Sequence, residues 1–422
     1  MKKLIALADC NNFFVSCERL FRPDLEGKPV VVLSSNDGCV VSRSNEAKAL
    51  LIPMGAPYFK MKNYMEAKGV TVFSGNMELY RGVSARVMSQ LARFTDCLEA
   101  YSIDEAFLNL DIASIGDPAE YCRRIRAALL RNCGIPISIG ISTTKTLCKI
   151  ASEQVKERAK KRQDGDGVCR LLPEEAAPYL EQLPLADVWG VGRKSAEKLS
   201  RMGVTTAAQL LKRDEPWIRK YLTIRGVMTA RELRGIRCFP LEDKEVKQQS
   251  LQVSRSFGNR LRSFEDIKGA VVRHAAEGAF RLRAQGLCAG AVGCFIRTSP
   301  FDDLFYGQSA ERPLSPPTSQ DGEIIAAALE CLKKVYVPGY DYAKAGIWLR
   351  DLRDADVRQM DLFSALDPQR LKLDRLMEAV DRLNMELGEH TVAPAALKCA
   401  DASAPRREKL SHGQIELLDR QY

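Results

Sequence analysis

The sequence predicts an α+β protein of several domains, and three observations carry that prediction. Short apolar runs of strand character alternate with helical spacings in the first 160 residues and again from 250 to 353. Residues 168–240, between them, read as mostly helical. A polar, charged stretch from Glu242 to Gln249 then reads as a linker. The chain has 422 residues, 45% hydrophobic and 28% charged, enough for roughly two to four domains with their own cores.

Leu4-Ile5-Ala6-Leu7-Ala8 is a strand-like run that ends in Asp9-Cys10-Asn11-Asn12, and Phe13 to Glu18 begins a helix. Asp9 therefore stands at the carboxyl end of a strand, or else Asp9 or Asn11 caps the helix. Val30 to Leu33 is a second strand, and Val40 to Ser44 is a third or its end. Asn45 to Leu50 starts a helix closed by Pro53, so residues 21–75 form a small α+β insertion. A helix from Met77 to Phe94 follows, with Leu79, Val83, Val87 and Leu91 at helical spacing.

Tyr101 to Leu110 places two adjacent carboxylates, Asp104 and Glu105, between strand-like residues. They are either solvated at a hairpin tip or held there to bind metal, since buried like charges need a cation. Neighbours in a regular strand point to opposite faces, so the strand must be interrupted for both to serve one site. The expectation is a hairpin that brings Asp104 beside Asp9, with Glu105 on its second strand. A helix from Pro118 to Asn132 and a strand from Pro136 to Ser142 come next. The helix opened by Thr143-Thr144-Lys145 runs to Arg162 and ends in Lys156, Arg158, Lys160, Lys161 and Arg162, a cationic end that suits the macrodipole. In Leu183 to Leu199, Gly190 and Gly192 join a hydrophobic turn to a helix opened by Arg193 and Lys194. That is the helix-hairpin-helix pattern for sequence-independent contact with duplex backbone.

Beyond the linker, the pattern predicts a strand (Leu251 to Phe257), a helix (Phe264 to Gln285), a strand (Ala289 to Arg297), a Pro-rich loop (Pro313 to Pro317), a helix (Gly322 to Tyr336) and a strand (Ala343 to Leu352). Arg255, Arg297 and Arg350 on one face of this sheet are solvated positions or suit a phosphate backbone. Gln359-Met360-Asp361-Leu362-Phe363 is a short apolar peptide, and Asp367-Pro368 caps a helix carrying Leu373, Leu376, Val380, Leu383 and Leu387.

A net charge of +9 favours an anionic partner, nucleic acid first. The 13 cysteines include no CxxC, and the three histidines join no cysteine cluster, so zinc is not expected. No stretch approaches the ~20 apolar residues of a membrane span, and the chain reads as cytoplasmic, with reduced thiols. Asp9, Asp104 and Glu105 are what a two-metal phosphoryl-transfer site requires: hard cations about 3.5–4 Å apart, bridged by carboxylates.

Asp9-Cys10-Asn11-Asn12-Phe13-Phe14 and Ser102-Ile103-Asp104-Glu105-Ala106-Phe107 resemble the Y-family of translesion DNA polymerases. Phe21-Arg22-Pro23, Asn36-Asp37-Gly38-Cys39-Val40, Glu46 to Leu50, Asp187 to Gly192 and Ser254 to Gly258 extend the likeness over essentially the whole chain. The resemblance implies a right-hand polymerase: a ferredoxin-like palm (1–20 and 76–167), small fingers (21–75), a helix-hairpin-helix thumb (168–241), an α+β little finger (250–353) and a tail (354–422) with a clamp-binding peptide and a partner-binding helix. It implies two Mg²⁺ ions on Asp9, Asp104, Glu105 and the Cys10 carbonyl. Phe14 falls at the steric gate that excludes a 2′-hydroxyl, with Phe13 beside it in the nucleotide pocket. Ser42, Asn45 and Lys48 match the triphosphate-binding positions of the fingers; Asn45 lacks the family's tyrosine ring and Lys48 the bidentate arginine fork. Lys156 falls at the phosphate-binding lysine. Gly190, Gly192, Arg193, Lys194, Arg255 and Arg297 would contact DNA, and Gln359 to Phe363 would bind the sliding clamp. Primer-template DNA, dNTP, a cleaved UmuD dimer and a RecA filament are the other implied partners. A small fingers unit makes few shape checks on the nascent pair, so a slow, error-prone enzyme without proofreading, acting in the SOS response to DNA damage, is expected. Another nucleotidyl enzyme on a related palm, such as a cyclase, needs neither the hairpin nor the clamp peptide. A non-enzymatic DNA-binding scaffold has no need of the carboxylates.

Overall fold

The computed structural model describes residues 3–110, 116–160, 166–242, 248–355, 368–388, 391–395 and 407–411. The peptide Gln359 to Phe363 lies outside them. The chain divides into two compact units: Met1–Ser34, Gly38–Glu245 and Lys409–Tyr422 form the first, and Ser35–Asp37 with Val246–Glu408 the second.

The first unit is built on a five-stranded sheet. In chain order its elements are β1 (Leu4–Cys10), α1 (Phe13–Phe21), β2 (Val30–Leu33), β3 (Val40–Arg43), α2 (Asn45–Ala49), α3 (Tyr58–Ala67), β4 (Thr71–Ser74), α4 (Met77–Ala92), β5 (Leu98–Ala100), β6 (Glu105–Leu110), α5 (Pro118–Cys133), β7 (Ile137–Ser142), α6 (Lys145–Lys160), β8 (Val168–Arg170), α7 (Ala177–Gln182), α8 (Arg193–Ser200), α9 (Ala207–Leu211) and α10 (Glu215–Leu233). The sheet order is β5-β6-β1-β7-β8. β1 is buried throughout because it is central and covered on both faces. Its alternation sorts the two faces: Leu4, Ala6, Ala8 and Cys10 join the core with α4 and α5, while Ile5 and Leu7 pack with Phe107 and Cys148 towards α6. β2, β3 and β4 form a separate three-stranded sheet with its own small core, including Val31, Leu33, Val40, Ile52 and Met65. The helices after β8 share a third core with Leu147, Ala151 and Val155 of α6.

The second unit is a four-stranded antiparallel sheet, β11-β10-β12-β9, made of β9 (Ser250–Leu261), β10 (Leu287–Arg297), β11 (Gly307–Thr318) and β12 (Tyr342–Asp354). Its helices are α11 (Phe264–Ala284), α12 (Asp321–Val335) and α13 (Pro368–Leu387). Here the structure corrects the Pro-rich loop, since Pro313 to Pro317 lie within β11. β11 is an edge strand, which tolerates a proline whose N–H position faces outward, and Pro316 and Pro317 fall in the bulge opposite Ala289 and Ala291, outside the regular ladder.

A candidate active site at the carboxyl end of the central strand

The β1–β6 register sets Asp9 opposite Glu105, and the Cys10 N–H donates to the Asp104 carbonyl at 2.8 Å. The N–H groups of Tyr101 and Ser102 both donate to the Glu105 carbonyl, at 3.0 and 3.1 Å. These bonds close a hairpin between β5 and β6 whose tip ends in Asp104. Glu105 begins the second strand, so the two adjacent carboxylates come from a tip and a strand and are freed from strict alternation.

Asp9 shares its face of β1 with Ile5 and Leu7, and so points towards α6. Lys145, Lys149 and Lys156 stand at i, i+4 and i+11 on α6, within one stripe of the helix. Lys145 Nζ bonds both oxygens of Glu99 at 2.6 and 2.7 Å. Lys149 Nζ bonds both oxygens of Glu105 at 2.8 and 3.1 Å. Lys156 Nζ bonds Asp9 at 2.7 Å. Burial pushes the Asp9 carboxyl up to about 7; Lys156 pulls against this and Glu105 adds to it. Asp104 instead accepts from Ser102 Oγ at 2.6 Å. The three carboxylates thus face different partners, and among the described residues no three acidic, histidine or cysteine side chains converge as an ion's ligands. Their chemistry still fits a hard divalent cation, with carboxylate and backbone oxygens on adjacent positions of one sheet.

Composition alone does not single out Lys145 and Lys149; their helical spacing with Lys156 is the signal the sequence carries. Lys149 is further held over the rings of Tyr101, 4.5 Å from its centroid, and Trp189, 5.8 Å. The Trp189 indole N–H donates to Tyr101 Oη at 3.0 Å, tying the Gly190 hairpin to the carboxylate hairpin. Gly190 has φ 88°, open to glycine at no steric cost, whereas Gly192 is extended and caps α8. Arg193 and Lys194 are exposed at the start of α8.

Ser42, Asn45 and Lys48 come together around Asn12, a residue the sequence had not singled out. Ser42 Oγ lies 3.4 Å from the Asn12 carbonyl, Asn12 Nδ2 donates to Asn45 Oδ1 at 3.2 Å, and Lys48 Nζ donates to Asn12 Oδ1 at 2.6 Å. Asn12 adopts φ 48°, a left-handed turn that joins β1 to α1. Phe14 is half-buried and stacks on Tyr80, with centroids 4.4 Å apart. Phe13, beside it in sequence, lies in different surroundings. It is 3% exposed, inside the core, since neighbours on a helix point about 100° apart.

The arginines of the second unit do not share a face. Arg255 pairs in register with Ala345 and points to the helices, 3.7 Å from Glu277. Arg297 pairs with Lys344 on the open face, where Arg350 also lies beside Glu311 at 3.2 Å. With a period of two, an odd number of positions between strand residues changes the face.

The impB/mucB/samB family profile matches residues 8–153, its C-terminal domain 248–362 and its helix-hairpin-helix motif 173–204. A domain of unknown function, DUF4113, matches 374–414. Over 412 residues the chain is 40% identical to Protein UmuC of Salmonella typhimurium, covering 97% of each. The chain belongs to this family of Y-family DNA polymerases. It is 35% identical to Protein MucB of Escherichia coli over 97% of this chain and 96% of that one. Its fold is similar to a solved Y-family DNA polymerase chimera, Dbh-Dpo4(243-245)-Dbh, with a TM-score of 0.67 and 18% identity over 82% of this chain and 98% of the other. This family member is accordingly an error-prone, DNA-directed DNA polymerase of the translesion class, and it binds DNA. Y-family polymerases generally use divalent metal ions. No helix among the described residues is long and apolar enough to cross a membrane.

Proposed function

We propose that this polymerase joins a deoxynucleotide to a primer 3′-hydroxyl at Asp9, Asp104 and Glu105, in translesion synthesis during the SOS response. The observation that carries this reading is the register that pairs Asp9 with Glu105 beside the Asp104 carbonyl. The three carboxylates and the Cys10 carbonyl would hold two Mg²⁺ ions. Bound there, the ions would acidify the primer hydroxyl and carry charge on the triphosphate. The 3′-oxygen bonds to the α-phosphorus, the α–β bridging bond breaks, pyrophosphate leaves and the hydroxyl proton passes to water. Lys156 turns from Asp9 to the incoming phosphates, and Lys149 orients Glu105. Ser42, Asn45 and Lys48, gathered by Asn12, face the triphosphate, with Lys48 acting as a point charge. Phe14 is the sugar gate.

On this reading residues 1–20 and 76–167 are the palm, 21–75 the fingers, 168–241 the thumb, 250–353 the little finger and 354–422 the tail. Gly190, Gly192, Arg193 and Lys194 meet the duplex backbone. So does Arg297, with its neighbour Lys344, while Arg255 serves the helix face. Gln359 to Phe363 would enter a groove on the sliding clamp. A cleaved UmuD dimer and a RecA filament are the remaining partners, in line with the likeness to Protein UmuC.

The test is primer extension on an abasic template with Mg²⁺, RecA and cleaved UmuD. Asp104→Ala should lower extension by about 10²–10³-fold, the scale of losing one charge-stabilising group. Extension equal to that of the unaltered chain would sink the assignment.

A further inference from the structure

Lys409–Ser411, within the region matched by DUF4113, belongs to the first unit and is bound there by a set of specific hydrogen bonds. Ser74, the last residue of β4, exchanges two bonds with it. The Ser74 N–H donates to the Lys409 carbonyl at 3.0 Å, and the Lys409 N–H donates to Ser74 Oγ at 3.0 Å. Asn76 uses both ends of its amide. Its Oδ1 accepts the Leu79 N–H and caps α4 at 3.2 Å, while its Nδ2 donates to the carbonyl and hydroxyl oxygens of Ser411, each at 3.2 Å. The Ser411 hydroxyl then donates to Glu18 Oε1 at 3.3 Å. That same oxygen accepts the Tyr80 hydroxyl at 2.6 Å.

Glu18 is completely buried on α1, and a buried carboxylate depends on such donors. Tyr80 stands four residues after Asn76, on the same side of α4. Ser411 therefore bears on Tyr80 twice: at the cap of the helix that carries it, and at the acceptor of its hydroxyl. The Tyr80 ring lies within 13° of parallel to the Phe14 ring that rests on it. Any shift of the Tyr80 ring is passed directly to Phe14.

We propose that the peptide Lys409–Ser411 is a positioning element of the sugar gate, setting the place of Phe14 through Ser411, Glu18 and Tyr80 and so the exclusion of ribonucleotides. The inference rests on the reading of Phe14 as the gate. It gives the DUF4113 region a task in the polymerase reaction itself.

The experiment is single-nucleotide incorporation of dCTP and of CTP by the full chain, with RecA, cleaved UmuD and Mg²⁺. Ser411→Ala should raise the CTP-to-dCTP ratio of kcat/KM by about tenfold, less than the ~10²-fold effect of a full ångström of misplacement, chiefly through the KM for CTP. Ser411→Thr, which keeps the hydroxyl, should restore the ratio. A chain ending at Arg406 should show the same shift as Ser411→Ala. A purely structural role would depress both nucleotides together and leave the ratio unchanged, which would overturn the proposal. Phe14→Ala separates the two readings. Relaxed sugar selection in Phe14→Ala with an unchanged ratio in Ser411→Ala removes the tail's role and keeps the gate. Unchanged selection in Phe14→Ala removes the gate, and the tail's role with it.

Discussion

Glu232 is a fully buried carboxylate whose work is wholly structural. One oxygen accepts the Thr146 N–H at 3.0 Å, near the start of α6. The other accepts the N–H groups of Cys238 and Phe239 at 2.8 and 3.1 Å. It thus fills the helix end that presents the three lysines and ties down the chain leaving α10. Glu232→Ala would strand one buried donor, the Thr146 N–H, and two half-buried ones, and should cost about 2–3 kcal/mol of stability; denaturant unfolding would measure it, with Glu232→Gln falling in between. His274, in α11, is buried with neither ring nitrogen hydrogen-bonded among the described residues. Burial, reinforced by Arg255, Arg273 and Lys344, lowers its pKa to about 4. Because the folded value lies below the ordinary 6.5, its contribution is present above pH 6.5 and is lost as the pH falls from there towards 4. Between pH 7 and 5 the unaltered chain should lose about 2 kcal/mol more than His274→Leu. Equal losses in denaturant titrations at the two pH values would exclude the histidine as the cause.

At the scale of elements, β10 and β12 hold two reciprocal glycine–aromatic pairs. Gly293 faces Trp348 and Phe295 faces Gly346 in the register. A Cβ on Gly293 would lie 2.1 Å from Trp348, and one on Gly346 2.6 Å from Phe295. The glycines let both rings lie against the open sheet face, stacked 6.1 Å apart. Gly293→Ala should therefore displace the indole, cost about 1–3 kcal/mol and change the tryptophan emission; an unaltered spectrum would mean the ring is not seated there. α6 shows how much of an element is readable. Its helical character, with Lys156 and Arg158 near the end, follows from composition, while Lys161 and Arg162 lie outside the described residues; which lysine meets which carboxylate depends on the sheet register beneath it. β11 shows the opposite, since its prolines read as a loop until the strand is seen to be an edge.

At the scale of the whole molecule, the net charge of +9 acts as a field that draws primer-template DNA. Its affinity should fall linearly in log–log with salt, with a slope of about 0.9 per phosphate neutralised. Arg297 and Lys344 stand side by side on the open face of the second unit. Replacing both with alanine should lower the slope by about one to two, measured by fluorescence anisotropy from 50 to 300 mM salt. An unchanged slope would mean that face does not meet the backbone.

The sequence by itself determined most of the element types, β11 excepted, together with the polar stretch in which the two units divide and the carboxylates at Asp9, Asp104 and Glu105. Those features are local: apolar period, turn residues and charge sit within a few positions of one another. Tertiary structure alone decided the partners. It gave Asp9 to Lys156 and Glu105 to Lys149, gathered Ser42, Asn45 and Lys48 on Asn12, sent Phe13 into the core, and turned Arg255 away from Arg297. It also brought Ser411 to Glu18, 393 positions apart. Each of these depends on register, on helix phase or on a long-range contact, and one residue of slip would undo it.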